Sequence, residues 1–125
     1  MMGPFQHGWT RQDVESVMAR GDPHELLHVP IVVSMDPPDC AWSEAICLAL
    51  AQHPQATVRG NAVLGFGHLA RTCGCLDLAV AIPVIEAALG DAHAYVRAHA
   101  EDAAADLLHF LGVEIARPAV NTANG

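Results

Sequence analysis

Val58-Arg59-Gly60-Asn61-Ala62 returns thirty-eight residues later as Val96-Arg97-Ala98-His99-Ala100. Carried forward, the same offset sets Leu69 against Leu107; carried back, it sets Ala51 against Leu89 and His53 against Asp91. A period in the high thirties, with Val-Arg-x-x-Ala opening an apolar stripe at helical spacing, predicts stacked helical hairpins, that is, an all-α chain built as a short α-solenoid. Within the first copy Gly60, Gly65 and Gly67 each cost roughly 1 kcal/mol against alanine in a helix interior. Close approach of a neighbouring helix is the simplest reason to keep them. Gly65-Phe66-Gly67 with Ala70 also spells a dinucleotide fingerprint, but it lies inside a helix rather than at a strand-to-helix turn, and out of that context it means little.

Outward from this repeat, breakers divide the chain. Residues 1–9 read as an irregular lead-in, with Gly3, Pro4 and Gly8. Thr10 caps a helix that Gly21 ends, and Trp9 stands where a hydrophobic residue packs back on the first turns. Asp22-Pro23 restarts a helix through Leu26, Leu27, Ile31 and Val32, which Pro30 must kink. Ile31-Val32-Val33 also reads as a short buried strand, but a lone strand would have nothing to pair with, so the kinked helix is preferred. Asp36-Pro37-Pro38-Asp39 is the strongest break, after which helices are expected over 40–52, 56–72, 78–89 and 93–111. One domain results over 10–112, with a degenerate capping repeat (10–39) and two repeats (40–72 and 78–112); 113–125 reads as a flexible tail.

At 125 residues the chain suffices for one core. Apolar residues make up 52% and aromatics 5%, which favours packed helices. Fourteen acids face six basic residues, all arginine, for a net charge of -8. That balance argues against a phosphate-binding footprint, so no nucleic-acid partner is expected; it suits a basic protein partner, and it also serves simple solubility. No stretch reads as a signal peptide or membrane span, which leads to the expectation of a cytoplasmic chain, no membrane association and reduced thiols. On that reading Cys40 and Cys47, seven apart on one helix, fill the core. Cys73-Gly74-Cys75 follows a helix end capped by Gly74, with no second cysteine pair to complete a metal site.

The residues just quoted resemble a known repeat. His53-Pro54 before Val58-Arg59 and Ala62, and Asp91 before Val96-Arg97 and Ala100, look like two HEAT-type hairpins, a resemblance covering about residues 40–112. It implies that the turn aspartate and the arginine six residues later bond between neighbouring repeats; Asp91 and Arg97 match, and His53 replaces the aspartate in the first copy. The run from Arg59 to Arg71 is similar to small acidic bacterial proteins, among which HEAT-like immunity proteins of polymorphic or contact-dependent toxin systems imply a toxin-neutralising role.

Two constellations carry candidate chemistry. His24-Glu25-Leu26-Leu27-His28 matches the zincin motif, two histidines for zinc and a glutamate for water, with Glu44 the nearest candidate third ligand. Pro23 and Pro30 interrupt the helix such a site needs, and no sheet supports it, so no metal or other cofactor is expected. The second comes from superposing the copies: Asn61 aligns with His99, Leu64 with Asp102 and His68 with Asp106, away from the core line of Val58, Ala62 and Leu69. The resemblance places such helices on a concave face, where Asn61, His68, His99, Asp102 and Asp106, with Glu101 beside them, would meet an arginine or lysine of a partner. The alternative is an ordinary solvated helix face. Asp102 and Asp106 on a water-facing surface would do no acid–base work, and Trp42 reads as core behind the proline turn. The function expected is non-catalytic binding of a basic toxin domain such as a nuclease, one to one. Its rivals are a scaffold or regulatory subunit and a zinc hydrolase.

Overall fold

The computed structural model describes residues 3–116, and in it every regular element is helical. After a 3-10 turn at Gly3–Phe5 come α1 (Arg11–Arg20), α2 (Pro23–Leu26), α3 (Val29–Met35), α4 (Cys40–Leu50), α5 (Ala56–Cys73), α6 (Leu78–Leu89) and α7 (Ala94–Leu111). Local chemistry explains most of the boundaries. Thr10 and Asp13 form a reciprocal capping box on α1, and Gly21 ends that helix at φ 70°. Asp39 accepts the Trp42 N–H to start α4, and Gly74 closes α5 at φ 69° with its N–H on Ala70 O.

The segment around Pro30 is helical, not a strand. The break falls upstream of the proline: α2 stops at Leu26 and α3 starts at Val29, with Pro30 in its first turn. Pro30 has no N–H to give the Leu26 carbonyl, and a proline costs least in the first turn of a helix, where that donor would have no partner.

α5 is the central helix. It packs along α7 and against α3, α4 and, less extensively, α6; α3 touches α4, and α6 touches α7. Phe66, Leu69, Val58 and Val63 of α5, Ile85 of α6, and Val96 and Leu107 of α7 are fully buried in one core. The three glycines of α5 stand where neighbours come closest. A Cβ on Gly60 would lie 2.7 Å from the Tyr95 ring, one on Gly65 2.6 Å from Cys47 Sγ, and one on Gly67 2.9 Å from Ala103 Cα. α5 therefore gives up helix propensity to let α4 and α7 approach.

The repeat offset is repeated in the hydrogen bonds. His53 Nδ1 accepts the Gln55 N–H at 3.0 Å, as Asp91 Oδ1 accepts the His93 N–H at 2.9 Å. Arg59 Nη1 donates to His53 O at 2.9 Å, as Arg97 Nη1 donates to Asp91 O at 2.7 Å. His53 thus supplies the turn cap an aspartate would give. Arg59 also ties the two turns together: its Nε and Nη2 take both oxygens of Asp91 at 2.8 and 2.9 Å.

Several side chains and segments stand differently from expectation. Cys40 and Cys73 form a disulfide, because the fold sets the start of α4 beside the end of α5. Only Cys47 fills the core, and the bond removes the ground for reduced thiols, since disulfides persist in oxidising surroundings. The lead-in holds a 3-10 turn whose Phe5 is buried. The tail packs further than 112, with Ile115 buried against the core; Arg117 to Gly125 lie outside the described residues, as do Met1 and Met2. Trp42 is half-buried, its ring stacked on Trp9 at 6.4 Å and covered by the Arg11 guanidinium at 4.8 Å.

Candidate partner-binding face

α3, α5 and α7 together present one polar face. His68, in the middle of α5, is half-buried and faces Ser34 of α3, with Nδ1 3.1 Å from Ser34 Oγ. The serine hydroxyl has one proton, which it donates to Pro30 O at 2.6 Å. His68 therefore donates from Nδ1, and its Nε2 is left as an acceptor. Thr72, one turn on, ties the same helices together by donating to Ser34 O at 2.9 Å.

Across the helix, α7 supplies His99, Asp102 and Asp106. Gly67 lets Asp106 in, since a Cβ there would lie 2.7 Å from Asp106 Oδ2. Burial lowers the pKa of His68; Arg71 and His99 push it the same way and Asp106 opposes them. Burial also lowers that of His99, against the pull of Asp102. Both rings are therefore neutral near pH 7, and the fixed charges of the face are the two aspartates and Arg71.

Asn61 does not join this surface. It is 5% exposed, with Nδ2 donating to Leu27 O at 2.8 Å and Oδ1 accepting from Tyr95 Oη. Leu27 lies in the break between α2 and α3, so its carbonyl lacks a helical partner and Asn61 supplies one. Asn61 holds three elements together and is withdrawn from the set of binding residues. Glu101 is exposed on α7, but it projects about 100° round the helix from Asp102 and so faces elsewhere. His68, His99, Asp102 and Asp106 remain together.

Several residues of this face escaped the sequence reading. Tyr95 is 41% exposed and lies against the His99 ring at 4.3 Å. Phe110 is 41% exposed at the other end of α7, and Met35 is 49% exposed at the end of α3, where its sulfur meets Arg71 Nη2 at 3.3 Å. The signal was present for Tyr95, a large aromatic at a repeat position that holds Thr57 in the first copy. The face is thus two aspartates and two histidines between apolar ends, tempered by one arginine. Ser34, the hydroxyl beside His68, is fully buried and gives its proton to Pro30 O.

The other candidate falls apart. Glu25 is bound by Arg20 at 2.9 and 3.1 Å, His24 belongs to the four-residue α2, and His28 stands in the break with Gly3 against its ring. Glu44 accepts the Asp77 N–H at 2.9 Å and helps start α6. Among the described residues no group of three or more histidine, cysteine or acidic side chains is placed to hold a metal ion, and no helix is long and apolar enough to cross a membrane. The described clefts lie away from the polar face: two, of 320 and 240 Å³, border α4 and α6, and one of 350 Å³ adjoins Trp9.

Comparison of the chain with protein-family models, with curated proteins and with solved structures gives no significant match.

Proposed function

We propose that the chain is a short HEAT-like stack of helical hairpins that acts as a non-catalytic protein-binding module for a basic partner. The stack is supported by the Arg59–Asp91 tie, in which the arginine of the first copy reaches the turn aspartate of the second. The binding role is carried by one observation: α5 and α7 gather His68, His99, Asp102 and Asp106 on a face bounded by exposed Tyr95 and Phe110. An arginine or lysine of the partner meets the aspartates, the histidine rings accept its N–H groups, and the aromatics cover its apolar stem. The net charge of -8 steers such a partner at long range. Neutralisation of a basic toxin domain, such as a nuclease, by one-to-one binding is the case that the resemblance to immunity proteins implies.

The test starts from affinity capture in the native host at low salt, followed by elution with a salt series. The eluted protein is then titrated against the wild-type chain, Asp102→Lys/Asp106→Lys, and Glu15→Lys on the exposed side of α1. A loss of at least about tenfold in affinity is expected for the first variant alone, with its helical signal intact. Equal affinity of the double variant and the wild type would refute this face.

A further inference from the structure

Three of the four cysteines lie close together at the end of α5. The disulfide joins Cys40, the first residue of α4, to Cys73, the last of α5. After Gly74 alone comes Cys75, a free and exposed thiol. The chain between limits the Cα atoms of Cys73 and Cys75 to at most about 7 Å. Gly74 turns the chain at φ +69° and nothing lies within 4 Å of where its Cβ would be, so the turn stands clear of the rest of the fold. Cys40 and Cys73 are only half-buried. The fourth cysteine takes no part: Cys47 is fully buried, and burial pushes its thiol up to about 12.

The two sulfurs of the bond lie in opposite fields. Cys40 occupies the first turn of an eleven-residue helix, where unpaired N–H groups stabilise a thiolate. Cys73 ends an eighteen-residue helix, where unpaired carbonyls destabilise one. The acids nearest Cys40 along α4, Asp39 and Glu44, each accept a backbone N–H, from Trp42 and Asp77. In thiol–disulfide exchange the better-stabilised thiolate leaves faster. Attack at Cys73 with Cys40 leaving is therefore favoured over attack at Cys40.

We propose that these three residues form an intramolecular thiol–disulfide exchange site, in which Cys75 attacks Cys73 and frees Cys40. The Cys75 thiol gives its proton to water, and its thiolate forms the Cys75–Cys73 bond as the Cys73–Cys40 bond breaks. The electron pair of the broken bond leaves on Cys40 Sγ, which takes up a proton. One disulfide and one thiol exist before and after, so no oxidant or reductant is consumed. The exchange unties α4 from α5 and exposes a new thiol beside the 240 Å³ cleft lined by Ala41, Glu44, Ala45, Leu48, Asp77 and Val80.

The test uses the full oxidised chain and its Cys75→Ser variant, which changes only an exposed turn. Each is incubated at about pH 8.5, quenched with acid, blocked with N-ethylmaleimide, digested without reduction and mapped by mass spectrometry. The wild-type chain is expected to give labelled Cys40 together with a Cys73–Cys75 linkage, and Cys75→Ser to lose all labelling of Cys40. Cys40–Cys73 as the sole linkage in the wild type, or equal Cys40 labelling in the variant, overturns the proposal. A Cys40–Cys75 linkage overturns it as well, because Cys73 would then be the leaving sulfur.

Discussion

Arg59→Ala should weaken the fold more than any other surface-reaching substitution, and its cost can be worked from its contacts. The Arg59 and Asp91 side chains are only 17% and 16% exposed. Arg59 makes two charge-assisted bonds to Asp91 and two more to His53 O and Pro54 O, at 2.9 and 3.1 Å. Without it, the Asp91 carboxylate keeps only the His93 N–H. Breaking a buried pair costs about 3–5 kcal/mol. Residual exposure and the surviving His93 bond bring the expected loss to about 2–3 kcal/mol.

The acid titration gives an independent handle on the same pair. The hydrogen bonds from Arg59 hold the Asp91 carboxyl at about 2, down from 3.8, against the opposing effect of burial. After discounting for solvent screening, that shift corresponds to about 1–2 kcal/mol. The folded-state value is depressed, so the contribution is present above the unfolded value near 4 and is lost as pH falls from about 4 to about 2. Urea unfolding followed by far-UV circular dichroism, on the wild type, Arg59→Ala, Asp91→Asn and the double variant, measures the coupling. We expect about 1–2 kcal/mol of coupling near neutral pH and a flatter acid limb in both single variants. A coupling below about 0.5 kcal/mol would mean that the two hairpins are not tied through this pair.

Three further outcomes follow from the packing. Gly67→Ala should lose about 1–2 kcal/mol net despite its better helix propensity, because the new methyl meets the Ala103 backbone; urea midpoints check this, and a stabilised variant would contradict the close approach of α5 and α7. Asn61→Ala leaves Leu27 O and the Tyr95 hydroxyl without their partner and should cost about 1–3 kcal/mol by the same assay, where a neutral result would return Asn61 to the surface. Burial lowers His68 and His99, so the unfolded chain takes up protons first and stability should fall as pH drops from about 7 to about 5; His68→Gln/His99→Gln should flatten that dependence, and an unchanged slope would assign it to other groups.

The repeat made much of the helical framework legible. A thirty-eight-residue offset located α5 and α7, the breakers located α4 and α6, and the costly glycines of α5 pointed to close neighbours before any neighbour was known. The sequence was weaker wherever the answer lay in the meeting of distant segments. Cys40 and Cys73 are separated by 33 residues, and spacing along one helix says nothing about the end of another. Asn61 reads as a surface residue because it is polar and off the core line. It is buried because a helix break in front of it presents an unpaired carbonyl, an arrangement that propensity alone does not reveal. Of the polar face, His68, His99, Asp102 and Asp106 could be read from the superposed copies. Ser34, Arg71 and Met35 could not, since they come together only when α3 packs beside α5.

The most direct test of the binding account is a map of backbone amide NMR shifts as the basic protein eluted by salt is titrated into the labelled chain. The largest changes are expected at His68, Tyr95, His99, Asp102 and Asp106, fading as salt is raised. Changes confined to α4 and α6, with the α5–α7 face unmoved, would contradict it.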